Sequence, residues 1–256
     1  MPARIPMTAK QREALLALPM TEEEVIAHHS LDENERAAIA RLRSPANQLG
    51  YALQLCCLRF PGRYLRRGEL LPAIMLDHVA EQIDVDADVI ADFAKRGPTR
   101  YEQLASIKRN HGFVDLTHPV RAELKQWLEA EALSCTDGRL LLERLIARMR
   151  ERKIIIPGVS VIERLTASAM HAADAKVASE ILAQLNTEQK AKLNAVLDDK
   201  THAQQSRLSW LREPPIRVGA RGLFELLDKI DYIRRLGIGE LALPDYLKLR
   251  LSQLAR

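Results

Sequence analysis

The chain has 256 residues, 47% of them hydrophobic and 4% aromatic, with a formal net charge of +4 and a pI near 9.0. That length supports one large or two small domains with real cores. So few aromatics argue against a β-sandwich and against stacking-based capture of single strands, and so mild a basic excess means that a nucleic-acid partner must be argued from how the charge is distributed.

Three cysteines without a CxxC pair, and no export signal, fit unpaired thiols in a reducing cytoplasm. The opening MPARIPMTAKQ lacks the apolar stretch of a leader. No apolar run approaches the roughly 18 residues of a membrane span.

Helical periodicity dominates, and the start and stop signals are readable in order. Thr21-Glu-Glu-Glu24 has capping-box form, so a helix follows Thr21. Leu31 to Arg43 is the next, opened by Asp32. Ser44 caps and Pro45 starts a helix that stops at Pro61-Gly62. Pro72 begins another through about Gln82, and Asp88 to Lys95 is a short one. Gly97-Pro98 turns, Thr99 to Glu102 repeats the capping-box form, and that helix ends before Gly112. Pro119 to Leu133 and Asp137 to Lys153 follow. Ile154 to Ile156 is the one β-like run, closed by Pro157-Gly158. Ser160 to Glu163 is a third capping box, opening a long helix or helix pair to Leu185. Thr187 to about Lys200, Gln205 to Arg212, Gly222 to Leu236 with Gly237 as its stop, and a last helix from Pro244 complete the reading. The expected fold is therefore all-α, with two helical modules, 1–153 and 154–256, meeting at the Lys153–Gly158 break. The last helix has no stop signal, as in a fragment of a longer chain.

On a wheel of about 100° per residue, Leu49, Ala52, Leu53, Cys56, Cys57 and Phe60 share one face, so both thiols read as core side chains. The opposite strip holds Asn47, Tyr51 and Gln54, facing solvent or DNA. From Arg36 to Gly68 every charged residue is an arginine: Arg36, Arg41, Arg43, Arg59, Arg63, Arg66 and Arg67. A solvated face usually mixes both signs, and the planar guanidinium suits phosphate oxygens and guanine edges. The competing reading is a set of ion pairs with distant acids such as Glu22 to Glu24.

Other basic groups are less one-sided. Arg144, Arg148 and Arg152 share one side of a helix, with Arg150 and Lys153 at its C-terminal end, where the helix dipole equally welcomes cations. DADVIADFAKRGPTRYEQLASIKRNHGF reads as helix–turn–helix. Its second helix is expected to bury Tyr101, Leu104 and Ile107 and to show Gln103, Ser106, Arg109 and Asn110 outward, side chains able to pair with base edges. Arg96, Thr99 and Arg100 lie by its N-terminus, where backbone N–H groups favour a phosphate. Arg152 and Lys153 precede a second such terminus at Ser160, and Arg207, Arg212, Arg217 and Arg221 surround Pro-rich turns. Trp210 reads as a core anchor. There is no Walker A motif, no GxGxxG and no HExxH, so no residue pattern supports an enzyme.

RSPANQLGYALQLCCLRFPGR, from Arg43 to Arg63, resembles the N-terminal signature of the Tn-three family of replicative transposases. The likeness continues through YEQLASI, RKIIIPGVSVIERL, LSWLREPP and LLDKIDYIRRLG, with Cys57 a small departure. The resemblance implies a fragment that recognises the terminal inverted repeats of an element as double-stranded DNA. It further implies that an RNase-H-like catalytic part, with its carboxylate triad and divalent metal, lies in a region this chain does not reach. No cofactor is then expected here. In this reading the Arg59–Arg67 group is the phosphate clamp and the Thr99–Asn110 helix the base reader. The runner-up is an α-helical assembly module that dimerises the transposase, and a small hydrolase is a distant third.

Overall fold

Ser44 and Pro45 act as their chemistry predicts. The Ser44 hydroxyl accepts the Asn47 N–H at 3.3 Å, and Pro45 takes the first helical position of a fifteen-residue helix. A computed structural model describes residues 5–93, 97–198, 206–215, 219–239 and 241–254. In chain order the helices are α1 (Ala9–Leu15), α2 (Glu22–His29), α3 (Glu33–Ala40), α4 (Pro45–Arg59), α5 (Ala73–Gln82), a 3-10 turn (Ala87–Asp92), α6 (Gly97–His111), α7 (His118–Ser134), α8 (Gly138–Glu151), α9 (Val159–Gln184), α10 (Thr187–Asp198), α11 (Arg207–Arg212), α12 (Ala220–Arg235) and α13 (Asp245–Leu254). The protein is all-α; among the described residues the β-like run at Ile154 makes only an isolated bridge to Val114.

Two compact units are present, Met1–His171 and Ala172–Arg256. In the first, α4 is surrounded by α2, α3, α5, α6 and the 3-10 turn. Every residue from Leu49 to Leu58 is buried, so this helix is enclosed on all sides. Each large side chain it hides, such as Leu53, contributes about 1.5–3 kcal/mol. Tyr51 and Gln54, read as a solvent- or DNA-facing strip, are inside it. The α7–α8 pair adds a second buried group, with Leu124 and Leu128 against Leu141, Leu145 and Met149. After α8 the chain turns at Lys153, and Ile154, Ile155 and Ile156 cross the interior of this unit. The Ile155 N–H donates to the Val114 carbonyl at 2.9 Å and the Ile156 N–H to the Gly62 carbonyl at 2.8 Å.

Two expected caps move. Helix α6 begins at Gly97 and α9 at Val159, so Thr99 and Ser160 lie within first turns rather than capping them. In the second unit the Asn186 and Gln189 side chains and backbone N–H groups bond reciprocally at the start of α10. Trp210 is half-buried on α11, edge-on to Tyr232 of α12 at 5.7 Å.

Gly50 sits in mid-helix, where glycine ordinarily costs stability, and its lack of a side chain has a direct use. A Cβ at this position would fall inside the Phe93 ring, so the close packing of the 3-10 segment on α4 depends on it. Gly50→Leu is expected to expel that ring and lower stability by about 1–3 kcal/mol, read as a lower midpoint in urea. Gly50→Ala regains up to about 1 kcal/mol of helix propensity and falls less.

Candidate nucleic-acid interface

The arginine run divides once it folds. Arg59 pairs with the buried Glu35 and donates to the Ser30 carbonyl at 2.8 Å. Arg63 is buried. Its Nη1 and Nη2 grip the Glu69 carboxylate at 2.9 and 2.6 Å, Nε donates to the Leu16 carbonyl at 2.9 Å, and Nη1 also reaches the Tyr64 carbonyl at 3.0 Å. Burial pushes the Glu69 carboxyl up, but the Arg63 fork and the Arg66 N–H outweigh it and hold the group below the usual carboxylate range. Arg36 donates to the Leu31 carbonyl at 3.0 Å. Arg41, Arg43, Arg66 and Arg67 are exposed, and no ion pair among the described residues engages them.

The end of the signature also packs inward, with Phe60 half-buried and Pro61 and Gly62 buried. Phe60 stacks on His28 with ring centroids 4.1 Å apart, and the Arg150 guanidinium lies 4.4 Å from the Phe60 ring centroid. Arg150 Nε donates to the Pro61 carbonyl at 2.9 Å. Gly62 has φ +96, and a Cβ there would lie 2.9 Å from Ile156 and 3.2 Å from Arg150. Cys56 and Cys57 are fully buried, and burial pushes the Cys56 thiol up to about 12, which makes it an inert core side chain.

The exposed arginines after this latch border a cleft of about 1100 Å³. Its floor is apolar, from Leu65, Leu71, Leu76, Ile90, Phe93 and Leu104. Arg66 and Arg67 stand at one lip, and Arg100, Tyr101 and Lys108 of α6 at the other. Arg100 donates to the Leu65 carbonyl, tying α6 to the arginine loop. Lys108 bonds Asp115 at 2.7 Å, which raises the lysine and lowers the carboxyl, and Tyr64 bonds the same carboxylate. Of the expected clamp only Arg66 and Arg67 border this opening, and of the DNA-contacting residues expected on the reader helix only Arg100 does; Arg59, Arg63, Thr99, Gln103, Ser106, Arg109 and Asn110 do not line it.

The phase of α6 differs from expectation. Tyr101 is 75% exposed, whereas Gln103, expected outside, is 7% exposed. The Gln103 amide accepts from Gln54 Nε2 at 2.9 Å and donates to the Asn47 carbonyl at 3.0 Å, so two buried amides pair between α4 and α6, while Gln54 Oε1 has no hydrogen-bond partner among the described residues. A stripe through Gln103 and Ile107 was the available signal, hidden because a polar residue carries it. Arg109 and Asn110 are exposed, and Asn110 bonds Ser106 at 3.2 Å.

Elsewhere in the first unit, Arg144 bonds Glu131 at 3.0 Å, Arg148 bonds Glu151 at 2.9 Å, and Arg152 bonds Glu123 at 2.8 Å. Lys153 donates to the His111 carbonyl at 3.0 Å, and Ser160 is exposed in the first turn of α9. In the second unit Arg212 is exposed at the end of α11. Arg96 and Arg217 lie outside the described residues. Among the described residues no group of three or more His, Cys, Asp or Glu is placed to hold a metal ion, and no helix is long and apolar enough to cross a membrane.

A family described as a domain of unknown function (DUF4158) matches residues 7–169, more than half of the chain. The chain belongs to this family. It is also homologous over most of its length to Tn-three family transposases, the family its signature resembles. The transposase for transposon Tn21 of Escherichia coli is 30% identical over 90% of the chain. The transposase for transposon Tn501 of Pseudomonas aeruginosa is 28% identical over 100% of it, and that for transposon gamma-delta of Escherichia coli (strain K12) 27% over 96%. The chain spans about a quarter of the length of these relatives, 23% of the first and 26% of the second.

Proposed function

We propose that this chain is the DNA-recognition part of a bacterial transposase. It binds double-stranded DNA at the terminal inverted repeats of its element, in the cytoplasm, and carries no strand-transfer chemistry of its own. The chemistry and its divalent metal belong to the portion of the longer protein that this chain does not cover. The observation that supports the reading is a set of exposed guanidinium groups, at Arg41, Arg43, Arg66, Arg67 and Arg109, that no ion pair among the described residues engages, in a chain homologous to transposases.

Phosphate contacts from Arg41, Arg43, Arg66 and Arg67 supply affinity and register. The surface pairs of Arg144, Arg148 and Arg152 are each worth about 0–1 kcal/mol, so a phosphate displaces their carboxylates at small cost. Base reading falls to Arg109, Asn110 and Ser106 on the outer side of α6, with Thr99 and Arg100 at its first turn against the backbone. Gln103 is committed to the interior and takes no part.

A salt titration tests this. Phosphate contacts from Arg41, Arg43, Arg66 and Arg67 alone correspond to a slope of log K against log salt of about −3.6, measured by anisotropy with a duplex carrying the element's end. A flat dependence contradicts DNA binding; equal affinity for an unrelated duplex at the same salt contradicts end recognition.

A further inference from the structure

After the buried Arg63 and Leu65, the loop between α4 and α5 turns outward, and Arg66, Arg67, Gly68 and Leu70 are all exposed. The turn is braced from within. Glu69, the one acid between Arg63 and Pro72, holds its carboxylate against Arg63 and the Arg66 N–H, both at 2.9 Å, and Arg100 donates to the Leu65 carbonyl. Gly68 takes φ +70, with open space where a Cβ would stand. Arg66 and Leu70 border both the large cleft and a smaller one of about 410 Å³, so they form the ridge between the two. Leu70 is 94% exposed, Tyr101 75% and Met20 70%, the three highest values for large hydrophobic side chains among the described residues. Tyr101 lines the first cleft and Met20 the second. One exposed apolar side chain is ordinary, but three gathered around guanidinium groups that no ion pair among the described residues engages are not scattered.

We propose that this ridge is a minor-groove wedge: Leu70 enters between two base pairs of the bound duplex, while Arg66 and Arg67 meet the phosphates beside it. The inference rests on the DNA-recognition reading and adds to it the groove, the inserted side chain and the shape of the DNA. Leucine offers a base edge no donor or acceptor, so its favourable place against a duplex is out of water, between base planes. Apolar side chains on minor-groove proteins, Leu and Met among them, part a base step in this way and kink the duplex toward its major groove. The lost stacking is offset by burial of the leucine and by the contacts that the bent duplex permits. A wedge must also resist being pushed aside. The Glu69 brace and the Arg100 bond fix the turn before DNA arrives, so little ordering is left for binding to impose. Glu69 sets no free charge against the phosphates, because Arg63 balances it. Met20 and Tyr101, on the two flanks, meet the sugar walls of the opened groove.

The 256-residue chain and a duplex carrying the element's end test this. Fluorescence transfer between the two duplex ends should report a bend of about 20–90° on binding, and 2-aminopurine, placed at each step in turn, should brighten at one of them as its neighbour is unstacked. Leu70→Ala should abolish both signals and weaken binding roughly tenfold. Its melting midpoint and salt slope should match the parent's, since the side chain is exposed and no phosphate contact is lost. Leu70→Met should keep the bend and the bright step. The Leu70→Ala penalty should persist on a duplex with uracil for thymine, which lacks the major-groove methyl groups; a penalty that vanishes there places Leu70 in the major groove and overturns the wedge. A bound duplex that stays straight, or a Leu70→Ala complex as bent as the parent's, also overturns it, assigns the ridge to a protein contact and leaves DNA recognition standing. A duplex that is not bound at all overturns the recognition reading, and the wedge with it.

Discussion

Arg63→Ala is expected to destabilise the first unit by about 3–5 kcal/mol, the cost of leaving one member of a buried ion pair without its partner. The guanidinium and the Glu69 carboxylate are 9% and 16% exposed, and the fork also satisfies the carbonyls of Leu16 and Tyr64. Alanine removes the guanidinium from the Leu16 and Tyr64 carbonyls, leaves the Glu69 carboxylate with only the Arg66 N–H and no countercharge, and vacates the space the side chain fills. Urea denaturation reads the loss directly. Replacing both partners together, Arg63→Met with Glu69→Leu, should recover much of it, because a matched apolar pair carries no buried charge. An Arg63→Ala chain with an unchanged midpoint would show that the latch contributes nothing. Any DNA-binding defect of this variant follows from the fold, so it cannot report on a phosphate contact.

Arg66→Ala combined with Arg67→Ala has the opposite signature. Both side chains are exposed, and only the Arg66 backbone N–H, which alanine keeps, bonds Glu69. Stability should stay within about 0.5 kcal/mol. If the two arginines meet phosphates, affinity for every duplex falls together, by roughly 10- to 100-fold near physiological salt, and the salt slope loses about 2. Arg109→Ala should instead reduce preference for the element's end with a smaller loss of overall affinity. A double alanine variant that binds as tightly as the parent at every salt concentration would remove the clamp from this loop.

These two experiments separate residues that the sequence presents as one run. Arg59, Arg63, Arg66 and Arg67 are near neighbours with no acid among them. The acids that claim the first two come from Glu35 on α3 and Glu69 beyond the loop, just outside the all-basic window on either side. The stretch that carries the family resemblance is thus mostly an interior latch: Phe60 between His28 and Arg150, Gly62 against Ile156, Arg63 on Glu69.

What the sequence by itself determined is local. Caps at Thr21, Asp32, Ser44 and Asp137, and stops at Gly112 and Gly237, follow from hydrogen bonds and torsions within a few residues, and so does the all-α class. The thiols' place in the core followed from the period of their own helix. Tertiary structure alone decided which arginines stay outward, that Gln103 is buried and Tyr101 exposed, that Ile154–Ile156 crosses the first unit, and that α12 buries Lys229 and leaves Leu223 and Phe224 exposed. The reason is common to all four. Each depends on a partner distant in sequence, and periodicity reports how a segment divides into two faces without saying which face the rest of the molecule will cover.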